Sequence, residues 1–161
     1  MNRALYTSFV LALILSACSK KGEASYAYRF YEDKELLIES DTNGYMQYAS
    51  LQDGQNRVFE YQYTAQDEEY ISDDEYSEFI RFEIDPALSS FTYQDSGLIS
   101  INAVFTKVCF CGFPYEKEKD LAPSGSISGE RISESQWDID VDLTFYGNEH
   151  KNIQHRFTRT N

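Results

Sequence analysis

The clearest pattern of apolar and polar positions lies near the C-terminal end of the chain. Between Trp137 and Phe145, five large apolar side chains alternate with three aspartates and a threonine. A repeat of two residues places the two sets on opposite faces of a β-strand, so a half-buried strand is predicted here. Turn residues lie on both sides of this strand, so another strand is predicted before it and after it. The result is a three-stranded meander over residues 126–133, 136–146 and 150–159.

The pairing of the first two strands of this meander is predicted from the residues that would face each other. Placing Ile132 opposite Trp137 also places Arg131 opposite Asp138, which gives an apolar pair next to an ion pair. A slip of one residue would turn a whole apolar set toward water, so the register of the pairing is expected to be well specified.

The third strand is predicted to pair so that Tyr146 opposes His150 across a three-residue loop. This register places Asp140 opposite Arg156, and it puts His155 on the apolar face, where a core histidine is expected rather than a metal ligand. Aspartates on one face of a strand are about 6.7 Å apart. Calcium needs roughly six to eight converging oxygens, so the aspartates of the strand are predicted to be structural.

Four shorter segments in the first half of the chain are also predicted to be strands, because aromatic or branched side chains recur in them between turn residues. They cover residues 26–30, 35–40, 45–51 and 58–63. The first reversal is expected at Asp33-Lys34. The Asn43-Gly44 step is the strongest turn signal, because both residues tolerate positive φ. A four-stranded meander is therefore predicted.

The middle of the chain is less regular. Residues 80–84 alternate and are predicted to form a strand that ends at Asp85-Pro86, and residues 98–108 form a second candidate after the Ser96-Gly97 turn. Residues 109–125 contain glycines and prolines and are predicted to be a long irregular loop. The fold class predicted from the whole pattern is all-β, an antiparallel β-sandwich or open barrel of about eight or nine strands.

Composition supports a folded, strand-rich chain and excludes one class of partner. The 161 residues include 13 tyrosines and 11 phenylalanines, which suit half-buried pleated surfaces. The 27 acidic and 14 basic residues give a net charge of −13. Such a chain repels phosphate backbones, so nucleic acid is not expected as a partner.

The N-terminal residues have the layout of a secretory signal. Arg3 is followed by an apolar run from Ala4 to Leu15 and then by small residues. The run is about 12 residues long, and a transmembrane helix needs about 20. The run ends in Leu15-Ser16-Ala17-Cys18, which resembles the lipobox of bacterial lipoprotein signal peptides.

This resemblance implies a cleaved signal peptide at residues 1–17 and a lipid attached to Cys18. Residues 18–25 would then be a polar tether and residues 26–161 a single β-rich domain. No cofactor is expected beyond the covalent lipid, and a metal is left open. Ser19, in place of an aspartate, favours the outer membrane under the sorting rule of enteric bacteria. The protein would face either the periplasm or the cell surface.

The predicted function is that of a membrane-anchored envelope lipoprotein with a non-enzymatic binding or structural domain. Its partner would be a protein, a glycan or another component of the envelope. The sequence contains no motif that predicts a catalytic residue, and an enzyme is the less favoured class.

Cys109 and Cys111 are the residues that could support a different chemistry. Residues i and i+2 of a straight strand have Cα atoms about 6.7 Å apart, at the upper limit for a disulfide. A bend near Gly112 would make a disulfide feasible. Two free thiols, or a soft-metal site completed by His150 or His155, are the alternatives. The alternative function is therefore a periplasmic soft-metal or redox-handling protein.

A second candidate site is an acidic segment in the middle of the chain. It could bind a cation if the loop curls, but it lacks the spacing of a calcium-binding loop, and a solvated acidic loop is favoured. The candidate ligands are Asp67, Glu68, Glu69, Asp73, Asp74 and Glu75.

Overall fold

A computed structural model describes residues 23–66 and 75–160 of the chain. These residues form an all-β fold of nine strands, which confirms the predicted class and strand number. The strands are β1 (Ser25–Ser40), β2 (Gln47–Asp53), β3 (Asn56–Thr64), β4 (Tyr76–Ile84), β5 (Ser90–Gln94), β6 (Val104–Cys109), β7 (Ser124–Ser133), β8 (Gln136–Phe145) and β9 (Glu149–Arg159). A short helix, α1 (Ser96–Ser100), and a 3-10 turn (Lys117–Lys119) lie between them.

The strands follow the order β5-β7-β8-β9-β1-β3-β4-β6 in one open sheet, and β2 pairs with β1 beside this path. All pairings are antiparallel except that of β1 with β9. The sheet folds over so that its two halves pack face to face. The rings of Phe59 and Trp137, one from each half, meet edge to face at 5.4 Å.

β1 is one long bent strand, so the predicted reversal at Asp33-Lys34 is wrong. Asp33 has a left-handed φ of 55°, and the β1 register shifts between Tyr31 and Lys34. The strand bends there and changes its main partner from β3 to β2. A bulge therefore replaces the expected turn, because one left-handed residue deflects a strand without ending it. The predicted four-stranded meander becomes three strands with β1 in the middle.

The second half of β1 and its partner β2 form a hairpin that covers the outer face of β3, β4 and β6. Leu36, Ala49, Val58 and Val104 form a small second core beneath the hairpin. The Glu83 carboxylate accepts a hydrogen bond of 2.9 Å from the backbone N–H of Leu36. These contacts hold the hairpin in place. The loop between β1 and β2 forms one wall of a nearby cavity.

This loop does not contain the tight turn predicted at Asn43-Gly44. The N–H of Asn43 donates to Oδ1 of Asp41 at 2.9 Å, and neither Asn43 nor Gly44 has a positive φ. The chain instead closes a wider loop through a hydrogen bond of 3.1 Å from the N–H of Asp41 to the carbonyl of Met46. The aspartate side chain therefore takes the role expected of the backbone turn.

In the middle of the chain, one predicted strand is shortened and one strand was missed. The region predicted as a strand at 98–108 begins as helix α1 and becomes a strand only at Val104. Ser90–Gln94 forms β5, which was not predicted. β4 starts at Tyr76, earlier than the predicted residue 80, because its first residues pair with the end of β6.

The three strands of the C-terminal meander are present, but both predicted registers need correction. A bulge leaves Ile132 unpaired, so Arg131 pairs with Trp137 instead of Asp138. On the other side, Arg156 pairs with Asp138 instead of Asp140, a shift of two residues. A shift of two keeps every side chain on its predicted face, because two residues is the period of a strand.

Candidate functional site

Several predicted site residues lie outside the described part of the chain. These are Cys18 with the rest of the lipobox, and Asp67, Glu68, Glu69, Asp73 and Asp74. Of the acidic candidates only Glu75 is described, and it is exposed immediately before β4. Within residues 23–66 and 75–160, no helix combines the length and apolarity needed to span a membrane.

The structure joins Cys109 and Cys111 in a disulfide at the end of β6. Their Cα atoms are 5.2 Å apart, closer than the roughly 6.7 Å of a straight strand. The chain must therefore bend as it leaves β6. The intervening Phe110 is 82% exposed, and Cys111 is also exposed. The disulfide is consequently accessible to solvent reagents.

Neither histidine joins the cysteines in a metal site. Nε2 of His150 lies 2.7 Å from Oδ1 of Asp142. His155 stacks on Tyr28 with ring centroids 3.7 Å apart, and it is exposed, so its predicted place in the core is wrong. In the described part of the chain, no three His, Cys, Asp or Glu side chains are close enough together to hold a metal ion.

The aspartates of β8 make cross-strand polar contacts on the outer face. Arg156 donates two hydrogen bonds to Asp138, at 2.7 and 3.0 Å, and this hydrogen bonding holds the pKa of the Asp138 carboxyl below its usual value. The amide of Gln154 lies 3.5 Å from Asp140. This arrangement agrees with the structural role that was predicted for them.

The disulfide begins a segment that leads to a cavity. Residues 110–123, here called the strap, connect β6 to β7. The strap is attached to the β1–β2 loop at two adjacent places. Pro114 makes an isolated β-bridge with Gly44, and the N–H of Tyr115 donates to the carbonyl of Asn43 at 3.1 Å. The rest of the strap passes over the start of β6.

A cavity of about 260 Å³ lies beneath the strap. Its walls come from the β1–β2 loop, helix α1, the start of β6, the strap and the end of β8. The wall contains both apolar and polar surface, and its main apolar residues are Tyr45, Ile99, Phe105, Leu121, Phe145 and Tyr146. Ile99 and Leu121 are 58% and 55% exposed, so apolar surface is also open to water at its rim.

Tyr146 forms the most constrained part of the cavity wall. Its backbone has a left-handed φ of 52°. Its hydroxyl donates to the carbonyl of Phe105 at 2.5 Å and accepts from the N–H of Gln47 at 3.2 Å. Burial raises the pKa of Tyr146 to about 12. The side chain therefore links the edge of β6 to the start of β2 while its ring lines the cavity.

Lys119 supplies the one positive charge of this wall, which also contains the polar residues Gln47, Asn102 and Asp120. Its Nζ lies 5.0 Å from the ring centroid of Tyr45 and 3.0 Å from Oε1 of Glu116. The hydrogen bond to Glu116 raises the pKa of Lys119 above its usual value, so the ammonium stays protonated. The cavity thus combines apolar side chains with one cation and one carboxylate, that of Asp120, which is an arrangement suited to binding.

A tyrosine cluster lies at the end of the molecule where β1 begins. The rings of Tyr26 and Tyr63 are 5.2 Å apart, and those of Tyr28 and Tyr61 are 5.6 Å apart. Behind them, Nζ of Lys151 pairs with Glu78 at 2.6 Å. The rings mostly contact one another, so this cluster serves packing more than ligand binding.

Sequence reasoning missed the cavity, because its walls come from five separate segments and carry no motif. The exposure of Ile99 and Leu121, which the structure shows, could not be known from the sequence, and a single exposed leucine is ordinary in any case. Comparison with family models, curated proteins and solved structures finds no match for this chain. The function must therefore be argued from the geometry of this chain.

Proposed function

We propose that this protein is a lipid-anchored lipoprotein of the bacterial envelope whose β-domain binds a ligand and catalyses no reaction. The observation that carries the anchor is the cysteine directly after Leu15-Ser16-Ala17, at the end of a short apolar run. Two or three acyl chains, at about 0.8 kcal/mol per buried methylene, would make a lasting attachment. Ser19 in place of aspartate supports the outer membrane as its location.

The start of β1 supports a position close to the membrane. β1 begins at Ser25, seven residues after Cys18, and seven residues span at most about 24 Å. Ser25 pairs with Thr64 at the end of β3, and Tyr76 pairs with Cys109 at the end of β6. The tyrosine cluster and the disulfide would therefore lie on the side of the domain nearest the membrane.

The cavity supports a binding role. Its lining combines apolar side chains with a single cation, Lys119, and with the polar residues Gln47, Asn102 and Asp120. A few polar groups in a partly apolar concavity are typical of a small-molecule binding site. The net charge of −13 also supports partners other than nucleic acids.

The anchor is tested by expressing the full chain in a bacterium with labelled palmitate. The wild type should incorporate the label, separate with membranes and have a mature N-terminus at Cys18. Cys18→Ser should lose the label and the cleavage. The matched control, Cys109→Ser with Cys111→Ser, should keep both. A native protein that begins at Met1 without lipid would refute the anchor.

The exposed disulfide favours a second candidate, in which Cys109 and Cys111 exchange electrons or bind a soft metal after reduction. Only the reduced pair could supply two thiolates to Cu(I). Thiols would be counted with and without a reductant, and Cu(I) uptake would be measured on the reduced protein. Reversible reduction with uptake of one copper would support this candidate. Unchanged copper uptake in the double serine variant would exclude the metal role.

A further inference from the structure

We infer that the cavity beneath the strap is the binding site of a small amphiphile with one apolar chain and one carboxylate. This inference deepens the binding half of the proposed function and is independent of the lipid anchor. Three features of the cavity carry it: its apolar volume, its single cation and its fixed inner wall.

The volume limits the length of the apolar chain. At about 30 Å³ per water-sized group, a cavity of about 260 Å³ holds about eight or nine methylene-sized groups. The lining residues Ile99 of α1 and Leu121 of the strap both expose more than half of their surface. A chain lying between them would remove this apolar surface from water.

The charges around the cavity select a single negative charge on the ligand. The ammonium of Lys119 has three hydrogen-bond donors, and Glu116 accepts one of them. The Glu116 side chain is 47% exposed, so this pair is weak and an incoming carboxylate can share the lysine. Asp120 also lines the cavity and repels any anion, and the repulsion is stronger for a doubly charged group than for a singly charged one. A monoanion therefore fits better than a phosphate dianion.

The inner wall is held in place before any ligand arrives. The two hydrogen bonds of the Tyr146 hydroxyl fix its ring against β6 and β2, and the ring of Tyr45 packs on it edge to face at 5.1 Å. A wall that is already ordered loses little conformational entropy on binding. The strap adds to this order, because it is attached to the β1–β2 loop near Pro114 and Tyr115 and again where Lys119 lies over the ring of Tyr45.

The test uses the chain that begins at Ser19, since every described strand and both core clusters lie C-terminal to that residue. Binding of decanoate, of decanol and of acetate would be measured by titration calorimetry, with decanoate below its micellar concentration and decanol below its solubility limit. Decanoate should bind at one saturable site. Decanol should bind at least about tenfold more weakly, because it lacks the charge, and acetate should not bind.

Two pairs of variants locate the site. Ala122→Trp places an indole in the cavity from the exposed strap and should abolish decanoate binding. Its control, Ala87→Trp, adds the same side chain to an exposed turn elsewhere and should bind normally. Lys119→Gln should reduce decanoate affinity to that of decanol, whereas Lys117→Gln, an exposed lysine of the same turn outside the cavity wall, should not.

The inference is overturned if decanoate shows no saturable binding, or if Ala122→Trp binds it as tightly as Ala87→Trp does. Circular dichroism of all variants would verify that the β-fold is kept. Equal losses in Lys119→Gln and Lys117→Gln would contradict the assigned cation. Because the protein used here carries no lipid, none of these results bears on lipidation at Cys18, which the palmitate experiment tests separately.

Discussion

Tyr146 joins three elements through one side chain, at the point where β8 turns into β9. Its left-handed backbone costs about 1–2 kcal/mol for a residue other than glycine. Its hydroxyl offsets this cost with hydrogen bonds to the carbonyl of Phe105 and the N–H of Gln47. Neither of these backbone groups has a strand partner on that side. The tyrosine therefore serves as a substitute for a missing strand at the edge of β6.

Replacing Tyr146 with phenylalanine should destabilise the protein by about 1–3 kcal/mol, because a buried carbonyl and a backbone N–H lose their partner. Urea denaturation would measure the difference. Tyr115→Phe is the matched control: Tyr115 is 54% exposed, and its hydroxyl makes only a 3.5 Å contact with Asp120. It should change stability by less than about 0.5 kcal/mol. Equal effects in the two variants would contradict the bridging role.

Alkaline pH should also destabilise the protein through its buried phenols. Burial raises the pKa of Tyr146 to about 12 and raises the pKa values of Tyr61 and Tyr76 as well. An unfolded tyrosine titrates near pH 10, so above that pH the native state holds more protons than the unfolded state does. Stability should therefore be complete below about pH 10 and fall as the pH rises through about 12.

Urea denaturation across this alkaline range, together with tyrosinate absorbance, would measure the effect. Tyr146→Phe should show a shallower fall with pH than the wild type, because one of the raised pKa values has been removed. A free energy of unfolding that stays constant through the alkaline range would show that these phenols titrate as they do in the unfolded chain.

At the scale of elements, the alternation of apolar and polar residues predicted which face of a strand each side chain occupies. It predicted less well which residues of neighbouring strands pair. β8 is present as predicted, but its register with β9 differs by two residues. The expected loop began after Tyr146, and the actual loop includes Tyr146. The tyrosine leaves the strand to make its two hydrogen bonds with other elements. A contact that distant in sequence could not be read from the local pattern.

Local backbone conformation and short strand length explain the other incorrect predictions. Asp33 was expected to reverse the chain, but its left-handed conformation bends β1 and lets the strand continue. β5 is only five residues long, and its single buried residue, Phe91, is too weak a pattern to predict a strand. The candidate cysteines could be found because the chain has only three, whereas the cavity required the tertiary fold.

Gly125 allows β7 and β8 to approach at the start of their pairing. It has a φ of 109°, and a Cβ there would lie 2.2 Å from the carbonyl oxygen of Asp142. Gly125→Ala should therefore cost about 2–4 kcal/mol, from backbone strain and displacement of β8. Gly112→Ala is the control, since nothing lies within 4 Å of its Cβ position, and it should be nearly neutral. Urea denaturation would measure the free energy of unfolding of both variants. Similar values would contradict the close approach of β7 to β8 at Gly125.

At the scale of the whole molecule, the two halves of the sheet depend on a narrow connection. β9 and β1 pair in parallel through Arg29 with Thr158 and Phe30 with Arg159. The N–H of Thr160 adds a hydrogen bond of 2.9 Å to the carbonyl of Phe30. Most of what holds the halves together must therefore be side-chain packing across the core.

Phe157 lies at the centre of this packing. Its ring is 5.9 Å from that of Phe59 in the other half and 5.6 Å from that of Tyr28, and it is 1% exposed. Phe157→Ala should destabilise the protein by about 3–5 kcal/mol, because a buried aromatic ring leaves a cavity. Ile132→Ala, at the exposed bulge of β7, should cost far less.

The form of the transition is the more informative measurement. If the halves stabilise each other through one core, Phe157→Ala should still unfold in a single step, with a lower midpoint and an unchanged denaturant dependence. Fluorescence of Trp137, the single tryptophan, reports on one half, and amide exchange reports on β3 in the other. Both signals should be lost together, because β9 pairs with β8 in one half and packs against Phe59 and Tyr28 of the other half through Phe157. Two separate transitions would mean that each half is stable without the other and that the core between them is only a weak contact.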